Sequence, residues 1–263
     1  MGLLHKKVTF LNFDGAYDFQ DKLTNAFPHH WVEWRNLRGT SLYCSPAALT
    51  AIKRKLKSIS EKGITFLGSG NYHYVTFALL QELKKPFTLV LFDHHTDLDK
   101  GRIGSLLSCG SWVHHALTDI NNLSKVIIIG PGKSADAFPA PIRRRIQIIP
   151  DYRLPAGGWL CDQIPTAKVH ISIDKDVLDP VFAKTKWDQG RLSLEKLKQL
   201  LAVLLAEKEI DGVDICGEWP IGPHNHLDSK IRQIIEKNER ANLALACAVL
   251  NKSMPPAAVK TAN

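Results

Sequence analysis

The stretch Thr88-Leu89-Val90-Leu91-Phe92-Asp93-His94-His95-Thr96-Asp97 decides how the rest of the chain is read. Five apolar or β-branched residues run directly into an Asp-x-His-x-Asp triplet, the pattern of a buried strand that delivers polar side chains from its carboxyl end. Side chains along a strand alternate with a period of two. Extended backbone through the triplet therefore predicts Asp93, His95 and Asp97 on one face, with Asp97 already entering the loop. Two carboxylates and an imidazole so close together point to metal ligation. A polar turn that merely caps a strand needs no such set.

Outward from this strand the chain alternates. Val8-Thr9-Phe10-Leu11-Asn12-Phe13 predicts a first strand ending at Asp14-Gly15, and Trp31-Val32-Glu33-Trp34 a short second one. Ser45-Pro46 marks a helix start, the serine capping and the proline in the first turn. Leu49, Ile52, Leu56 and Ile59 carry that helix's apolar stripe to a stop near Gly63. Ile64 to Leu67 reads as a strand that breaks into Gly68-Ser69-Gly70-Asn71-Tyr72-His73, and Tyr74 to Leu83 as a helix that Pro86 closes. Beyond the 87–92 strand come a helix from Cys109 to Leu117, strands at 126–129, 146–149 and 169–173, and a helix capped by Ser193 and running through Leu204. A strand from Ile210 to Ile215 and a long helix from Ser229 to Leu250 follow. Gly130-Pro131-Gly132-Lys133 lacks the spacing of a phosphate loop and reads as a turn. Apolar strands alternating with helices, without hairpin signals, predict an α/β fold around a mostly parallel sheet buried on both faces. No repeat or long linker divides the chain, so one domain over residues 1–263 is expected.

A 44% hydrophobic composition over 263 residues supplies a full core, so disorder is not expected. No run approaches the roughly 18 apolar residues of a membrane span. Met1-Gly2-Leu3-Leu4-His5-Lys6-Lys7 leads into a strand-like run instead of a signal-peptide core, and Lys6 stands where a myristoylation pattern wants Ser or Thr. The five cysteines, odd in number and free of any C-x-x-C pair, read as reduced thiols, and the expected location is cytoplasmic. The net charge of +8 is scattered over helical stretches apart from Arg143-Arg144-Arg145, with no interleaved aromatics. A solvated surface is expected, with neither nucleic acid nor membrane as partner, and the charge leaves room for anionic small molecules.

In open parallel sheets, ligands bind beyond the carboxyl ends of the strands. Three loops leaving such ends carry metal-type residues, namely His73 after Leu67, the triplet after Phe92, and Asp174-x-Asp176 after Ile173. If those strands are neighbours, His73, Asp93, His95, Asp97, Asp174 and Asp176 meet. Four carboxylates and two imidazoles without a thiolate suit divalent ions such as Mn²⁺ better than a cysteine-built zinc site. Four negative charges balance two such ions, which can generate hydroxide at neutral pH. A binuclear hydrolase is the expectation.

Three segments also carry a family resemblance. Leu67 to Thr76 resembles the Gly-Gly-Asp-His-Ser motif of arginases and agmatinases, and Asp93 to Asp97 resembles their Asp-Ala-His-x-Asp. Ser172-Ile173-Asp174-Lys175-Asp176-Val177-Leu178-Asp179-Pro180 resembles their Ser-x-Asp-x-Asp-x-x-Asp-Pro. With Gly190-Arg191-Leu192-Ser193 and Val213-Asp214-Ile215 the resemblance covers about residues 64–250, and the N-terminal part carries no matching motif. Carried over by position, it implies one Mn²⁺ held by His73, Asp93, Asp97 and Asp174, and a second held by Asp93, His95, Asp174 and Asp176, with Asp93 and Asp174 bridging. It further implies that Asp97 orients a metal-bridging hydroxide for attack on a guanidinium carbon, giving urea and an amine. The substrate class implied is a guanidino or amidine-like small molecule. The implied fold is the three-layer α/β/α arginase-deacetylase fold, commonly found in oligomers.

Three departures fall outside the metal ligands. Where the family places a His-Gly pair whose histidine shuttles protons, this chain reads Cys109-Gly110-Ser111-Trp112. A thiol substitutes poorly unless its pKa suits the task, and His114 or His115 is either a replacement or an ordinary helix polar group. The glutamate that contacts the guanidinium normally lies three residues before a proline, where Gly217 precedes Pro220. The nearest acid, Glu218, is either a substrate contact re-aimed by a bulge or a structural ion-pair partner. Trp187-Asp188 stands in a loop where small residues are usual, so a reshaped pocket is expected. Two alternatives remain beside the hydrolase, a non-catalytic metal-binding member of the family and a zinc amide deacetylase on the same fold.

Overall fold

Every strand pairing in the sheet is parallel, as the unbroken apolar runs predict. The computed structural model describes residues 1–99, 106–131, 143–222, 224 and 227–254, so Gly132 and Lys133 of the expected turn lie outside the described residues. The strands are β1 (Gly2–Leu3), β2 (Lys7–Asn12), β3 (His29–Glu33), β4 (Lys62–Phe66), β5 (Phe87–Phe92), β6 (Leu123–Ile129), β7 (Ile146–Ile149), β8 (Lys168–Asp174) and β9 (Glu209–Cys216). Their order is β3-β2-β4-β9-β8-β5-β6-β7, with β1 pairing beside the start of β9. The described helices are α1 (Asp21–Ala26), α2 (Pro46–Lys57), α3 (Val75–Leu80), α4 (Trp112–Asp119), α5 (Gly157–Asp162), α6 (Leu194–Glu207) and α7 (Ser229–Leu250).

Strand alternation divides the core into two layers. Phe10, Phe66, Val90, Phe92, Ile127, Ile171, Ile173 and Val213 face one side, where Leu197, Leu201 and Leu204 of α6 and Leu243 and Leu245 of α7 cover them. Leu11, Leu89, Leu91, Val126 and Ile128 face the other, beneath Ile52 and Leu56 of α2, Phe77 of α3 and Trp112 and Val113 of α4. The result is a three-layer α/β/α fold. On the second face β8 and β9 break the apolar rule, presenting His170, Ser172 and Asp174 beside Gly212, Asp214 and Cys216 in paired register. That polar row leads along the strands to the candidate site.

Local signals fix the helix ends. The Ser45 hydroxyl accepts from the Ala48 N–H with Pro46 in the first turn, and Ser193 accepts from Lys196 N–H. Each such cap is worth about 1 kcal/mol. Two helices are shorter than their patterns predict. α3 stops at Leu80, and α4 begins at Trp112 because Cys109 is held instead by a loop, its N–H donating to the Leu42 carbonyl at 2.9 Å. β1, α1 and α5 have no counterpart in the sequence reading, since two to six residues are too few for a periodic signal. No helix among the described residues is long and apolar enough to cross a membrane.

Candidate metal centre

Three carboxyl ends deliver the expected ligands. β5 ends at Phe92, and the Asp93 N–H still donates to Ile129 of β6 at 3.0 Å before the chain leaves the sheet. The shared strand face expected for Asp93, His95 and Asp97 is not how they converge. Extended backbone stops at the strand end, and Asp97 adopts a left-handed φ of 51° that turns its side chain back. Asp174 is the last residue of β8, and a 3₁₀ turn over Lys175–Val177 brings Asp176 round, its N–H donating to Asp174 Oδ1 at 2.9 Å. His73 follows a 3₁₀ turn over Gly70–Tyr72. β4 and β8 are not adjacent, because β9 lies between them, so the carboxyl end of β9 enters the site as well.

The six side chains meet. His73 Nδ1 lies 3.2 Å from Asp93 Oδ2, 3.1 Å from Asp97 Oδ2 and 3.7 Å from Asp174 Oδ2. His95 Nδ1 lies 2.8 Å from Asp176 Oδ2 and 3.6 Å from Asp93 Oδ1. Among the described residues, three groups have ligand atoms within 4.8 Å of one another: His73, Asp93 and Asp97; Asp93, His95 and Asp176; and His73, Asp174 and Cys216. The third contains a thiol that the sequence reading leaves out of the site.

Neighbouring residues prepare these groups for a cation. Ser172 Oγ donates its only hydrogen to Asp214 Oδ1 at 2.6 Å, so it accepts from His73 Nε2 at 2.9 Å. With Nε2 the donor, His73 keeps Nδ1 as the nitrogen aimed at the carboxylates, the orientation a metal-binding histidine needs. Asp214 is itself fixed by Thr76 and by His170 Nε2, each at 2.8 Å. Trp112 Nε1 donates to Asp97 Oδ2 at 2.6 Å. None of Ser172, Asp214, His170 and Trp112 is assigned a site role from sequence, although Ser172 and Asp214 stand within the matched segments 172–180 and 213–215.

The electrostatics favour positive charge at this place. Burial, and then the charge of Asp97, raise the Asp93 pKa. Burial and Asp176 do the same for Asp174, while burial and Asp93 bring Asp176 up to about 6. Burial likewise raises Asp97 against the opposing pull of His73. The imidazoles respond in the opposite sense. Burial opposes their charge, yet Asp176 and Asp93 lift His95 to about 11, and Cys216, Asp93 and Asp97 lift His73 well above its ordinary value. Carboxylates packed this closely hold protons or cations, and their donor chemistry fits divalent ions.

The divergent residues have distinct surroundings. Glu218 is buried and ion-paired to Lys175 Nζ, while Gln20 Nε2 donates to its other oxygen at 2.9 Å and Asn242 Nδ2 adds a 2.6 Å bond. That is the environment of a structural ion pair. The turn at Gly217, φ 90°, sends Glu218 there, and a Cβ added at Gly217 would lie 2.5 Å from Asp174 Oδ1. Burial, then the charge of Asp97, push the Cys109 thiol up to about 12. His115 pairs with Asp119 at 3.7 Å and packs near Phe77. Trp187 stands over the cluster, edge-on to His95 at 5.8 Å and so near Gly70 that an added Cβ would lie 2.9 Å from its ring and 3.0 Å from Asp174 Oδ2.

A sequence model of the arginase family matches residues 5–225, beginning well before the first quoted motif. The chain belongs to the arginase family. An uncharacterized protein of Thermotoga maritima is 33% identical over 219 residues, spanning 80% of this chain and 79% of the relative. Among solved structures, an arginase from Bacillus subtilis superposes with a TM-score of 0.68 at 15% identity, covering 95% of this chain and 99% of that one. The proclavaminate amidino hydrolase of Streptomyces clavuligerus does so at 0.67 and 18% identity, covering 94% and 93%.

Proposed function

We propose that this protein hydrolyses a carbon–nitrogen bond in a guanidino or amidine-like small molecule with the help of two divalent cations. Family membership supports the reaction class. The observation that carries the reading is that Asp93 belongs to two ligand groups at once, one with His73 and Asp97 and the other with His95 and Asp176. In this reading His73, Asp93, Asp97 and Asp174 hold one ion, and Asp93, His95, Asp174 and Asp176 hold the other. Two divalent cations acidify water and so supply a nucleophile at neutral pH, and an oxygen-rich donor set favours Mn²⁺. Asp97 accepts a hydrogen bond from the attacking water and aims it at the planar carbon, while Trp112 keeps Asp97 turned inward. Trp187, which stands edge-on to His95 at 5.8 Å, offers an aromatic face suited to a flat, delocalised amidinium.

In this reading Glu218 serves as the structural ion-pair partner and not as a substrate contact, which its bonds to Lys175, Asn242 and Gln20 support. The same observation, with the Cys109 thiol pushed up to about 12, favours a second reading in which the chain binds metal without turnover. Urea or ammonia release from a panel of guanidines and amidines, measured with Mn²⁺ and with Asp176→Ala as control, separates the two. Release that disappears in the variant supports the hydrolase. Silence across the panel from a chain carrying two ions favours the non-catalytic reading. Metal analysis should find about two ions per chain and a sharp drop for Asp93→Ala; a single tightly held ion would instead fit a deacetylase-like zinc site.

A further inference from the structure

We propose that Cys216 is a thiolate ligand of the ion held by His73 and Asp174, an inference that rests on the two-ion reading above. Cys216 is the final residue of β9 and pairs in register with Asp174, the final residue of β8. Alternation puts both on the polar face that also carries Ser172 and Asp214. The thiol is fully buried, its Sγ lies 3.1 Å from Asp174 Oδ2, and the ligand atoms of His73, Asp174 and Cys216 fall within 4.8 Å of one another. Two atoms on one ion can be no farther apart than the sum of their bond lengths, about 4.4 Å for a sulfur and a nitrogen or oxygen donor. The sulfur–carboxylate distance is well inside that span. As the ion binds, the S–H proton leaves to solvent and the sulfur electron pair takes its place on the metal.

The consequence is that the two metal positions differ in kind. The position of His95 and Asp176 has only nitrogen and oxygen donors, the set that suits Mn²⁺. The position of His73 gains a soft donor, which shifts preference toward Zn²⁺ or Co²⁺. Gly217 makes this approach sterically possible, since a side chain there would collide with Asp174 and force the two strand ends apart.

Cobalt tests the assignment without recourse to turnover. The full-length chain is loaded with Co²⁺, the bound ions are counted, and the near-ultraviolet spectrum is recorded for a sulfur-to-cobalt charge-transfer band. The expected result is two ions per chain and a band that is lost in Cys216→Ser but kept in Cys109→Ser, the control for the half-buried thiol nearest in electrostatic influence. Two bound ions without the band, or a band that survives Cys216→Ser, overturns the proposal. One ion with the Cys216-dependent band supports the thiolate and overturns the two-ion reading, and no binding overturns both. Should Cys216→Ser fail to fold, zinc X-ray absorption on the unsubstituted chain decides, with a sulfur neighbour at about 2.3 Å expected and its absence refuting ligation.

Discussion

Glu218→Gln keeps the outline of a buried side chain and removes its charge. Lys175, fully buried, then faces a neutral amide and retains its 2.8 Å bond to Asn242 Oδ1. Breaking a buried ion pair from one side costs about 3–5 kcal/mol. The amide also donates where Gln20 and Asn242 now donate to a carboxylate, so part of the network must turn over. For a chain of this size each kcal/mol moves Tm by about 2–4 °C, so a fall of roughly 6–20 °C is expected. Calorimetry on Glu218→Gln measures it, and Lys175→Met, Glu218→Leu and the double variant Lys175→Met/Glu218→Leu complete a cycle. The double variant should lose far less than the two single losses added together, because replacing a whole buried pair by apolar groups is often nearly neutral. A Glu218→Gln variant with unchanged Tm and metal content but abolished turnover would refute this reasoning and return Glu218 to the substrate.

Trp112→Phe removes the 2.6 Å bond to Asp97, a hydrogen bond to a charged partner worth about 1.5–3 kcal/mol; metal affinity at that position should fall roughly 10- to 150-fold, and an unchanged titration would count against the positioning role. Gly217→Ala combines a left-handed φ of 90° with a Cβ 2.5 Å from Asp174 Oδ1. It should cost at least about 1–2 kcal/mol of stability and displace a shared ligand, so retained Tm and full metal content would show the turn to be adaptable. Partial burial raises the Glu33 pKa, but bonds from Arg35 and Asn12 outweigh it and hold the group at about 2. A folded value below the unfolded one stabilises above about pH 5 and is lost as pH falls toward the folded value. The urea-unfolding difference between Glu33→Gln and the unsubstituted chain should stay below about 1 kcal/mol at neutral pH, because the pair is exposed, and shrink on acidification; growth would contradict it.

Strand positions are legible in the sequence because a parallel strand buried on both faces needs a near-continuous apolar run, and 87–92 lies where such a run lies. Their lateral order is not legible. Nothing within Ile210–Ile215 announces that it sits between Ile64–Leu67 and Val169–Ile173, yet that placement brings Cys216 to Asp174. The ligand set assembled from motifs therefore omits the thiol. Strand alternation also misstates how Asp97 converges, since its aim comes from a left-handed backbone turn and the Trp112 indole, and both depend on tertiary packing. Glu218 is ambiguous in sequence for a similar reason. Its partners Gln20 and Asn242 lie 198 and 24 residues away along the chain, beyond any local pattern.

The place of β9 has a consequence for how the molecule comes into being. During synthesis the strands β2, β3 and β4 emerge as one group and β5 to β8 as another, while the strand that joins them is made after both. Until the segment through Cys216 is free, β4 and β8 each offer an open edge, and open edges recruit other chains. His73 belongs to the first group and Asp93, His95, Asp97, Asp174 and Asp176 to the second, so no nascent half can assemble the full cradle. β9 is the last strand to be set, and only once it lies between β4 and β8 can His73 meet the carboxylates at the ends of β5 and β8.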